Sequence, residues 1–352
     1  MPSPVAMRPT VSQKRFHTQK AHFFTRLIWR VDFEAFIRGR SYLSNTELAA
    51  RPQNYARGIT LIVVAMFVTS VQDVVFKLFS DGVPLGQIFA IRALLAAPLI
   101  IALARAQGIT FKELLAGVQN WPLARSFAMT MMFLAFYTAI PFVNLSTLGA
   151  ATYTAPIFVA LLSAYVIGEK VTWQVWSAVI IGFAGVIVLL RPGTEAFNAW
   201  SLLPVFGAMF YAIAHVLTRA KCQAVPTVAL AFGLNASMCL AGLLASALII
   251  VWPPSVELSA AYPYLFAGWT TLGRAEWLVL VLLAALTVII SIGIAGAYQA
   301  APPPTVATFE YSYLVFVAVW DTLFFATAPG LVTLIGMAMI ILAGVLVLQR
   351  KE

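Results

Sequence analysis

The chain reads Gly-Val-Ile-Val-Leu-Leu-Arg at residues 185–191 and Gly-Val-Leu-Val-Leu-Gln-Arg at residues 344–350. A second pair of stretches agrees in the same order, since residues 137–141 read Tyr-Thr-Ala-Ile-Pro and residues 298–302 read Tyr-Gln-Ala-Ala-Pro. Both pairs lie in apolar surroundings and are separated by a similar length of chain. These matches predict that the molecule is built from two related halves.

The composition excludes an ordinary soluble fold. Of the 352 residues, 61% are hydrophobic and only 10% are charged, whereas soluble domains carry roughly 25% charged residues. So few charges could not cover the apolar surface of a water-soluble fold of this length. The lipid bilayer is therefore the predicted solvent for most of the chain, because apolar runs of about 20 residues can cross it.

Ten apolar segments are predicted to be transmembrane helices, which makes the fold class an all-α polytopic membrane protein. Inside hydrocarbon, each backbone polar group must be satisfied within its own segment, and this requires helices. The connections are short apart from a longer loop at 252–273. The segments are residues 58–77, 86–105, 122–140, 146–167, 173–191, 200–219, 227–251, 274–298, 303–326 and 330–349.

The two halves have opposite predicted orientations in the membrane. Residues 58–192 and residues 193–352 each contain five of the predicted spans. Five is an odd number, so the second half enters the bilayer from the side opposite to the first. This is an inverted-topology repeat, an arrangement typical of secondary transporters.

Residues 1–57 form a basic tail that precedes the first predicted span. The tail has ten Lys and Arg residues and three acidic residues, and it supplies most of the net charge of +9. Its segment 21–39 has the pattern of an amphipathic helix that could lie on an anionic leaflet. A disordered tail, or a translation start placed too far upstream, explains the same sequence and stays open.

Longer motifs connect the chain to a known family. Residues 137–156 read Tyr-Thr-Ala-Ile-Pro-Phe-Val-Asn-Leu-Ser-Thr-Leu-Gly-Ala-Ala-Thr-Tyr-Thr-Ala-Pro, and Gly-Glu-Lys at 168–170 and Gly-Phe-Ala-Gly-Val at 182–186 follow. This sequence resembles the first EamA-type domain of the drug/metabolite transporter superfamily. Residues 310–320 are similar to the matching span of the second domain, although residues 327–329 read Thr-Ala-Pro where the first half has Gly-Glu-Lys.

The resemblance implies ten helices in two inverted five-helix repeats that transport small organic metabolites. It does not imply a substrate, so amino-acid-like, nucleoside-like and vitamin-like solutes and drugs all stay open. A flippase for lipid-linked substrates with the same fold and a non-transporting membrane scaffold are alternative interpretations.

Charged residues inside the predicted spans are candidate substrate or coupling residues, because each costs roughly 2.5–3.5 kcal/mol on insertion scales. Asp73 lies one turn before Lys77 on the first span, about 6 Å inside its outer end by helical rise. Arg92 lies about 9 Å inside the outer end of the second span. We expect Asp73 and Arg92 to pair, either as an outer gate or substrate anchor or as a structural ion pair.

Two further titratable residues lie at depth in the second half. Glu310 is about 10 Å from the cytoplasmic end of its span, and His215 is about 6 Å from the cytoplasmic end of another. The functional interpretation is proton coupling or substrate contact. The structural interpretation is that each is satisfied by its surroundings, and for His215 alone this is the more common case.

A second group of candidates surrounds a proline and a set of aromatic residues. Pro156 falls near the middle of the fourth predicted span and is expected to kink it, because proline removes a backbone hydrogen bond. Freed carbonyl groups at that depth are tolerated where they line a cavity. Polar-tipped aromatic residues suit a planar or amphiphilic solute. The aromatic candidates are Tyr153, Tyr311, Tyr313 and Trp320.

Several classes of protein are excluded by what the sequence lacks. It has no Walker loop, no zincin motif and no nucleophile elbow, and its two cysteines have no framework spacing. We therefore predict no enzymatic activity, no cofactor and no metal site. The predicted partners are a small-molecule substrate and the lipid bilayer, with no nucleic acid; a homodimer stays open.

The distribution of Lys and Arg predicts that both termini are cytoplasmic. Eighteen of these residues, Arg125 among them, fall on the side of the termini, and three fall on the opposite side. Cytoplasmic loops carry such an excess. The predicted location is the bacterial inner membrane, with multiple spans.

Reporter fusions test this orientation. We expect a reporter fused after Glu352 to report the cytoplasm and one inserted in the 252–273 loop to report the opposite compartment, because three predicted spans, an odd number, separate the two positions. Paired alkaline phosphatase and green fluorescent protein fusions provide the measurement. A cytoplasmic signal from the loop would contradict the ten-span topology.

Overall fold

The computed structural model describes residues 54–79, 83–139, 142, 151–168, 171–190, 200, 202–325 and 330–348. All of them lie in one of the two compact units of the chain, Leu43–Glu352. Within this part of the chain the secondary structure is helical, without a β-strand. The tail up to residue 53 lies outside the described residues, so the expected amphipathic helix there stays a prediction.

Helices occupy the predicted apolar segments in the described residues. Two short helices also lie in the 252–273 loop, and one lies between the second and third predicted spans. The fourteen α-helices are α1 (Tyr55–Phe79), α2 (Leu85–Ala106), α3 (Phe111–Leu115), α4 (Asn120–Ala139), α5 (Ala155–Leu162), α6 (Trp173–Leu190), α7 (Leu202–Lys221), α8 (Thr227–Val251), α9 (Val256–Ala261), α10 (Pro263–Phe266), α11 (Arg274–Ala300), α12 (Pro303–Glu310), α13 (Ser312–Phe325) and α14 (Leu331–Leu348).

Two of the predicted spans are interrupted. The fourth predicted span has a turn at Tyr153 and Thr154, after which α5 begins at Ala155. It then continues into a π-helical turn, Ser163–Ile167. The ninth predicted span is divided at Tyr311 into α12 and α13. These two breaks are important for the site because they bring irregular backbone into the interior of the helix bundle.

In the part of the chain that the structure describes, five helices (α1, α2, α7, α8 and α11) are long and apolar enough to cross a bilayer. In α11, a helix of 27 residues, the mean hydropathy reaches 3.0. Large apolar side chains point outward from these helices, including Leu278 at 73% exposure and Leu244 at 55%. An apolar outer surface of this kind matches lipid rather than water. The fold is that of a helical membrane protein, and the ten-span arrangement stays a prediction.

Local sequence explains where several helices start and stop. Prolines open them: α8 follows Pro226, and α12 begins at Pro303, where a missing N–H costs no helical hydrogen bond. The π-helical turn ends at Gly168, whose φ of 72° lies in the left-handed region that glycine adopts without strain. A capping box formed by Thr110 and Glu113 starts α3.

The helices associate in pairs that connect the two halves of the chain. The main pairs are α6 with α14, α4 with α7, α1 with α11, and α2 with α8. Exchange of the first half with the second converts the α4–α7 pair into the α11–α1 pair and leaves the other two pairs unchanged. The packing of the described helices is therefore compatible with the two predicted repeats, which stay a prediction.

Glycines allow the closest helix contacts, as the sequence predicts for Gly182, Gly185, Gly336 and Gly344. A Cβ at Gly185 would lie 2.9 Å from the carbonyl oxygen of Gly336, and a Cβ at Gly344 would lie 3.3 Å from the ring of Phe309. At Gly182 a Cβ would overlap the ring of Tyr311. The predicted close-packing role is confirmed, and it lets α6 approach both α12 and α14.

Gly117 makes an equally close contact that supports a stability prediction. A Cβ at this position would overlap the carbonyl oxygen of Ala229 in α8. We expect Gly117→Ala to lower the free energy of unfolding by about 1–3 kcal/mol, because the backbones must move apart. Thermal unfolding of the purified protein in detergent measures this effect. Gly268→Ala is the control, since a Cβ there has nothing within 4 Å, and equal melting temperatures for the two variants would contradict the prediction.

Candidate functional site

Glu310 is the last residue of α12, and its carboxylate is buried between three helices. Its exposed fraction is only 5%. Oε1 accepts a hydrogen bond from the hydroxyl of Tyr211 in α7 at 2.6 Å and another from the hydroxyl of Tyr298 in α11 at 2.7 Å. Within the described part of the chain, Oε2 accepts none. One carboxylate oxygen is thus held by the protein, and the other is available to a ligand.

His215 lies directly beside these two tyrosines. Its ring stacks on that of Tyr298, with 4.0 Å between centroids and 16° between planes, and meets the ring of Tyr211 at 4.1 Å and 63°. The side chain is fully buried. Neither ring nitrogen has a hydrogen-bond partner among the described residues. These ring contacts place His215 next to the two tyrosines that bind Glu310.

Asp73 in α1 forms a second carboxylate site. Its Oδ2 accepts a short hydrogen bond from the hydroxyl of Tyr313 in α13. This contact joins the first half of the chain to the second. It also brings together two residues that the sequence singled out separately.

The expected direct pair between Asp73 and Arg92 does not form. Arg92 in α2 is buried, with its Nη2 3.8 Å from the sulfur of Met238 and its guanidinium 5.8 Å from the centroid of the Phe89 ring. Its positive charge still acts on the Asp73 carboxylate through space. Similar depth on two antiparallel helices did not lead to an ion pair between Asp73 and Arg92. The Asp73 carboxylate instead accepts a hydrogen bond from the hydroxyl of Tyr313.

Tyr153 lies between the two carboxylate sites. Its ring centroid is 6.0 Å from that of Tyr311, the neighbour of Glu310 in sequence, and 6.1 Å from that of Tyr313, the donor to Asp73. Tyr153 belongs to the turn before α5, and Tyr311 belongs to the turn between α12 and α13. The two interrupted spans therefore meet at their breaks.

Pro156 explains the break in the fourth predicted span but does not itself kink a continuous helix. It is buried at the second position of α5. The preceding turn is closed by Thr154, whose hydroxyl donates to the carbonyl oxygen of Ala151 at 2.6 Å. A proline at the start of a helix needs no N–H donor, so the chain stops and restarts a helix here instead of bending one.

Trp320 contacts α1 and makes no hydrogen bond with the Glu310 carboxylate among the described residues. Trp320 is buried, and its Nε1 donates to the hydroxyl oxygen of Ser70 in α1 at 2.8 Å. Its ring also contacts Phe67 at a centroid distance of 5.6 Å. The side chain of Lys77, near the end of α1, is outside the described part of the structure. Its expected role stays a prediction.

Sequence reasoning missed two residues of this region. Tyr211 is a direct partner of Glu310, but a tyrosine in an apolar segment carries no signal of its own. Arg125, counted from the sequence among the charges on the side of the termini, is 1% exposed inside α4. Its Nε donates to the hydroxyl of Thr218 at 3.0 Å, and its Nη1 donates to the carbonyl oxygen of Leu230 at 3.3 Å. Its position in the predicted span 122–140 gave no indication of these buried partners, because sequence shows the depth of a residue and not the groups that it contacts.

Comparison with known protein families agrees with this architecture. Residues 56–191 match the model of the EamA-like transporter family. This part of the chain is an EamA domain. The match begins with α1 and ends with α6, so it covers the first of the two predicted repeats. The resemblance seen in the sequence motifs is confirmed.

Related proteins with known names are bacterial metabolite transporters. The pseudopaline exporter of Pseudomonas aeruginosa is 23% identical over 298 residues, which cover 84% of this chain and 97% of the relative. The S-adenosylmethionine uptake transporter of Rickettsia felis is 25% identical and covers 59% of this chain and 64% of its own. The riboflavin transporter of Vibrio cholerae is 26% identical and covers 57% and 61%. The chain is thus a multi-pass bacterial membrane protein that is similar to small-molecule transporters.

A solved crystal structure has the same fold. It superposes with a TM-score of 0.68 over 83% of this chain and 98% of the other, at 19% sequence identity. At this level of identity the likeness concerns the fold alone.

The two hydroxyl donors to Glu310 generate a prediction that can be measured without a substrate. We expect Tyr211→Phe and Tyr298→Phe each to destabilise the protein, because each removes a hydrogen bond to a carboxylate worth about 1.5–3 kcal/mol. Thermal unfolding in detergent gives the readout. Tyr165→Phe is the matched control, since Tyr165 is 87% exposed. If both variants unfold at the same temperature as this control, the carboxylate does not depend on the hydroxyls.

Proposed function

We propose that the protein is a secondary transporter that moves a small organic metabolite across the bacterial inner membrane by alternating access, with Glu310 on the transport path. The observation that carries the proposal is the environment of this carboxylate. Two tyrosine hydroxyls hold Oε1, and Oε2 has no donor among the described residues. A charged group at this depth needs a reason, and a free carboxylate oxygen can bind a proton or a cationic group of a solute.

The internal symmetry of the packing supports alternating access. The α4–α7 and α1–α11 pairs are equivalent under exchange of the two halves, and α6–α14 and α2–α8 lie across the exchange. Transporters built from inverted repeats bind their solutes where interrupted helices meet at the repeat interface. In this chain the breaks at Tyr153 and Tyr311 meet with their rings 6.0 Å apart.

The residues around the breaks suit an organic solute. Tyr153, Tyr311 and Tyr313 supply aromatic faces with polar tips, Asp73 and Arg92 supply charges of opposite sign, and Glu310 supplies a carboxylate. Solute sites combine mostly apolar walls with a few placed polar groups in this way. The named relatives, which transport pseudopaline, S-adenosylmethionine and riboflavin, support a metabolite as the solute. Both termini are cytoplasmic in this proposal.

Replacement of Glu310 tests the proposal in reconstituted vesicles. Wild-type protein should accumulate a metabolite from a substrate screen when a proton gradient is imposed. Glu310→Gln keeps the size and hydrogen-bonding capacity of the side chain but cannot titrate. For a proton-coupled carrier, we expect this variant to lose gradient-driven accumulation at least tenfold and to retain counterflow. Glu257→Gln is the matched control, because Glu257 is exposed in α9.

Other outcomes have distinct meanings. Loss of counterflow and of substrate binding in Glu310→Gln would make the carboxylate a direct ligand of a cationic solute, which keeps it on the transport path. Normal transport at every pH would show that Glu310 is structural. Vesicles that move a fluorescent lipid but no soluble solute would indicate a lipid-linked substrate flippase, and vesicles that move neither would indicate a scaffold.

A further inference from the structure

A stripe of polar residues runs along one face of α7, starting at the Glu310 site. Tyr211, His215, Thr218 and Cys222 follow one another at intervals of four, three and four residues. This spacing places residues on a single helical face. His215, Thr218 and Cys222 are fully buried. The stripe ends just beyond Lys221, where α7 ends, and this is the end predicted to face the cytoplasm.

Within this stripe His215 is the residue whose polar atoms are unsatisfied. Both ring nitrogens are buried without a hydrogen-bond partner among the described residues. A buried polar group left in this condition destabilises the folded state. The ring faces of Tyr298 and Tyr211 hold the imidazole in place, but stacking alone would be provided equally well by phenylalanine. The presence of nitrogen atoms at this position therefore calls for another explanation.

The far end of the stripe is closed by hydrogen bonds in the described state. Nε2 of Gln299, in α11, donates to the carbonyl oxygens of Cys222 and Val225 at 2.7 and 2.9 Å. Nη1 of Arg219 donates to the carbonyl oxygen of Gln299 at 2.9 Å. Burial raises the pKa of the Cys222 thiol to about 11, so the thiol holds its own proton near neutral pH and is not the acceptor in this stripe.

We propose that His215 is the proton acceptor that connects Glu310 to the C-terminal end of α7. This inference rests on the proposed function and identifies the coupling ion as a proton. The proton leaves the protonated carboxyl of Glu310, which becomes a carboxylate, and binds an unprotonated ring nitrogen of neutral His215, which becomes an imidazolium. When the Gln299 contacts open, the imidazolium releases that proton to water and returns to its neutral form.

The groups around His215 allow its ring to hold the proton only briefly, because burial and the charge of Arg125 both disfavour the imidazolium. Tyr211 lies on the same helix as His215, and Tyr298 faces His215 from α11. Both tyrosines bind Glu310 of α12. The positive charge of Arg125, in α4, repels a positive charge on His215. The residues of α5, the remaining helix packed closely against α7, include no titratable side chain. Repulsion from Arg125 favours onward release of the proton, as a relay requires.

Two substitutions separate relay from packing. His215→Phe keeps the stacked ring and removes both nitrogens, whereas His215→Ala removes the ring and leaves space for added imidazole. In vesicles with a trapped pH-sensitive dye, we expect His215→Phe to reduce substrate-driven proton movement at least tenfold and to leave counterflow within about twofold of wild type. Added imidazole should restore proton movement in His215→Ala. His22→Phe, in the N-terminal tail, is the histidine control.

Each remaining outcome overturns the relay. Wild-type proton movement in His215→Phe would show that the ring matters and the nitrogens do not. Loss of counterflow together with proton movement in His215→Phe, without rescue of His215→Ala by imidazole, would make His215 a packing residue. Wild-type vesicles that exchange substrate without moving protons would also overturn the relay, while leaving the proposed transport function in place. If wild-type vesicles exchange no solute, the proposed function itself fails, which distinguishes the two failures.

Discussion

A carboxylate inside a helix bundle that faces lipid must be satisfied by the protein, and this constraint organises the centre of the molecule. Water is not available to solvate Glu310 in hydrocarbon, so the hydroxyls of Tyr211 and Tyr298 bind its Oε1. These two donors come from α7 and α11, which must therefore lie on either side of the end of α12. Movement of any one of the three helices would break a charge-assisted hydrogen bond. A transport cycle that changes the charge of Glu310 would change how firmly these helices are held together.

The same requirement explains why glycines and chain breaks concentrate around this carboxylate. Glu310 ends α12, and the next residue, Tyr311, turns the chain and packs its ring against Gly182 of α6. The opposite break, at Tyr153, lies 6.0 Å from the ring of Tyr311. Irregular backbone is tolerated at membrane depth where it is buried in protein or lines a cavity. The breaks are thus part of the site, and close glycine contacts hold the helices around them.

Much of the helical framework could be predicted because apolar run length and proline position act locally. The starts of α8 and α12 follow prolines, and the close approach at Gly182, Gly185 and Gly344 follows from their missing side chains. Contacts between helices were harder to predict, since helical rise gives the depth of a residue and not the partner that it faces. Asp73 and Arg92 have matching depths, yet Asp73 binds Tyr313. Tyr211 had no local signal, and the partners of Arg125, Thr218 and Leu230, lie on helices distant in sequence.

The sequence by itself determined the solvent and the helical class, because both follow from composition and from the length of the apolar runs. It also predicted two repeated halves and singled out Glu310, Asp73 and His215 as candidates, since a charged or titratable group in hydrocarbon is costly. The tertiary structure decided which residues meet. It placed two tyrosine hydroxyls on one oxygen of Glu310, left the other oxygen free of protein donors in the described residues, and enclosed His215 between tyrosine rings. These relations depend on the rotation of each helix about its axis, and that rotation is set by packing against helices distant in sequence.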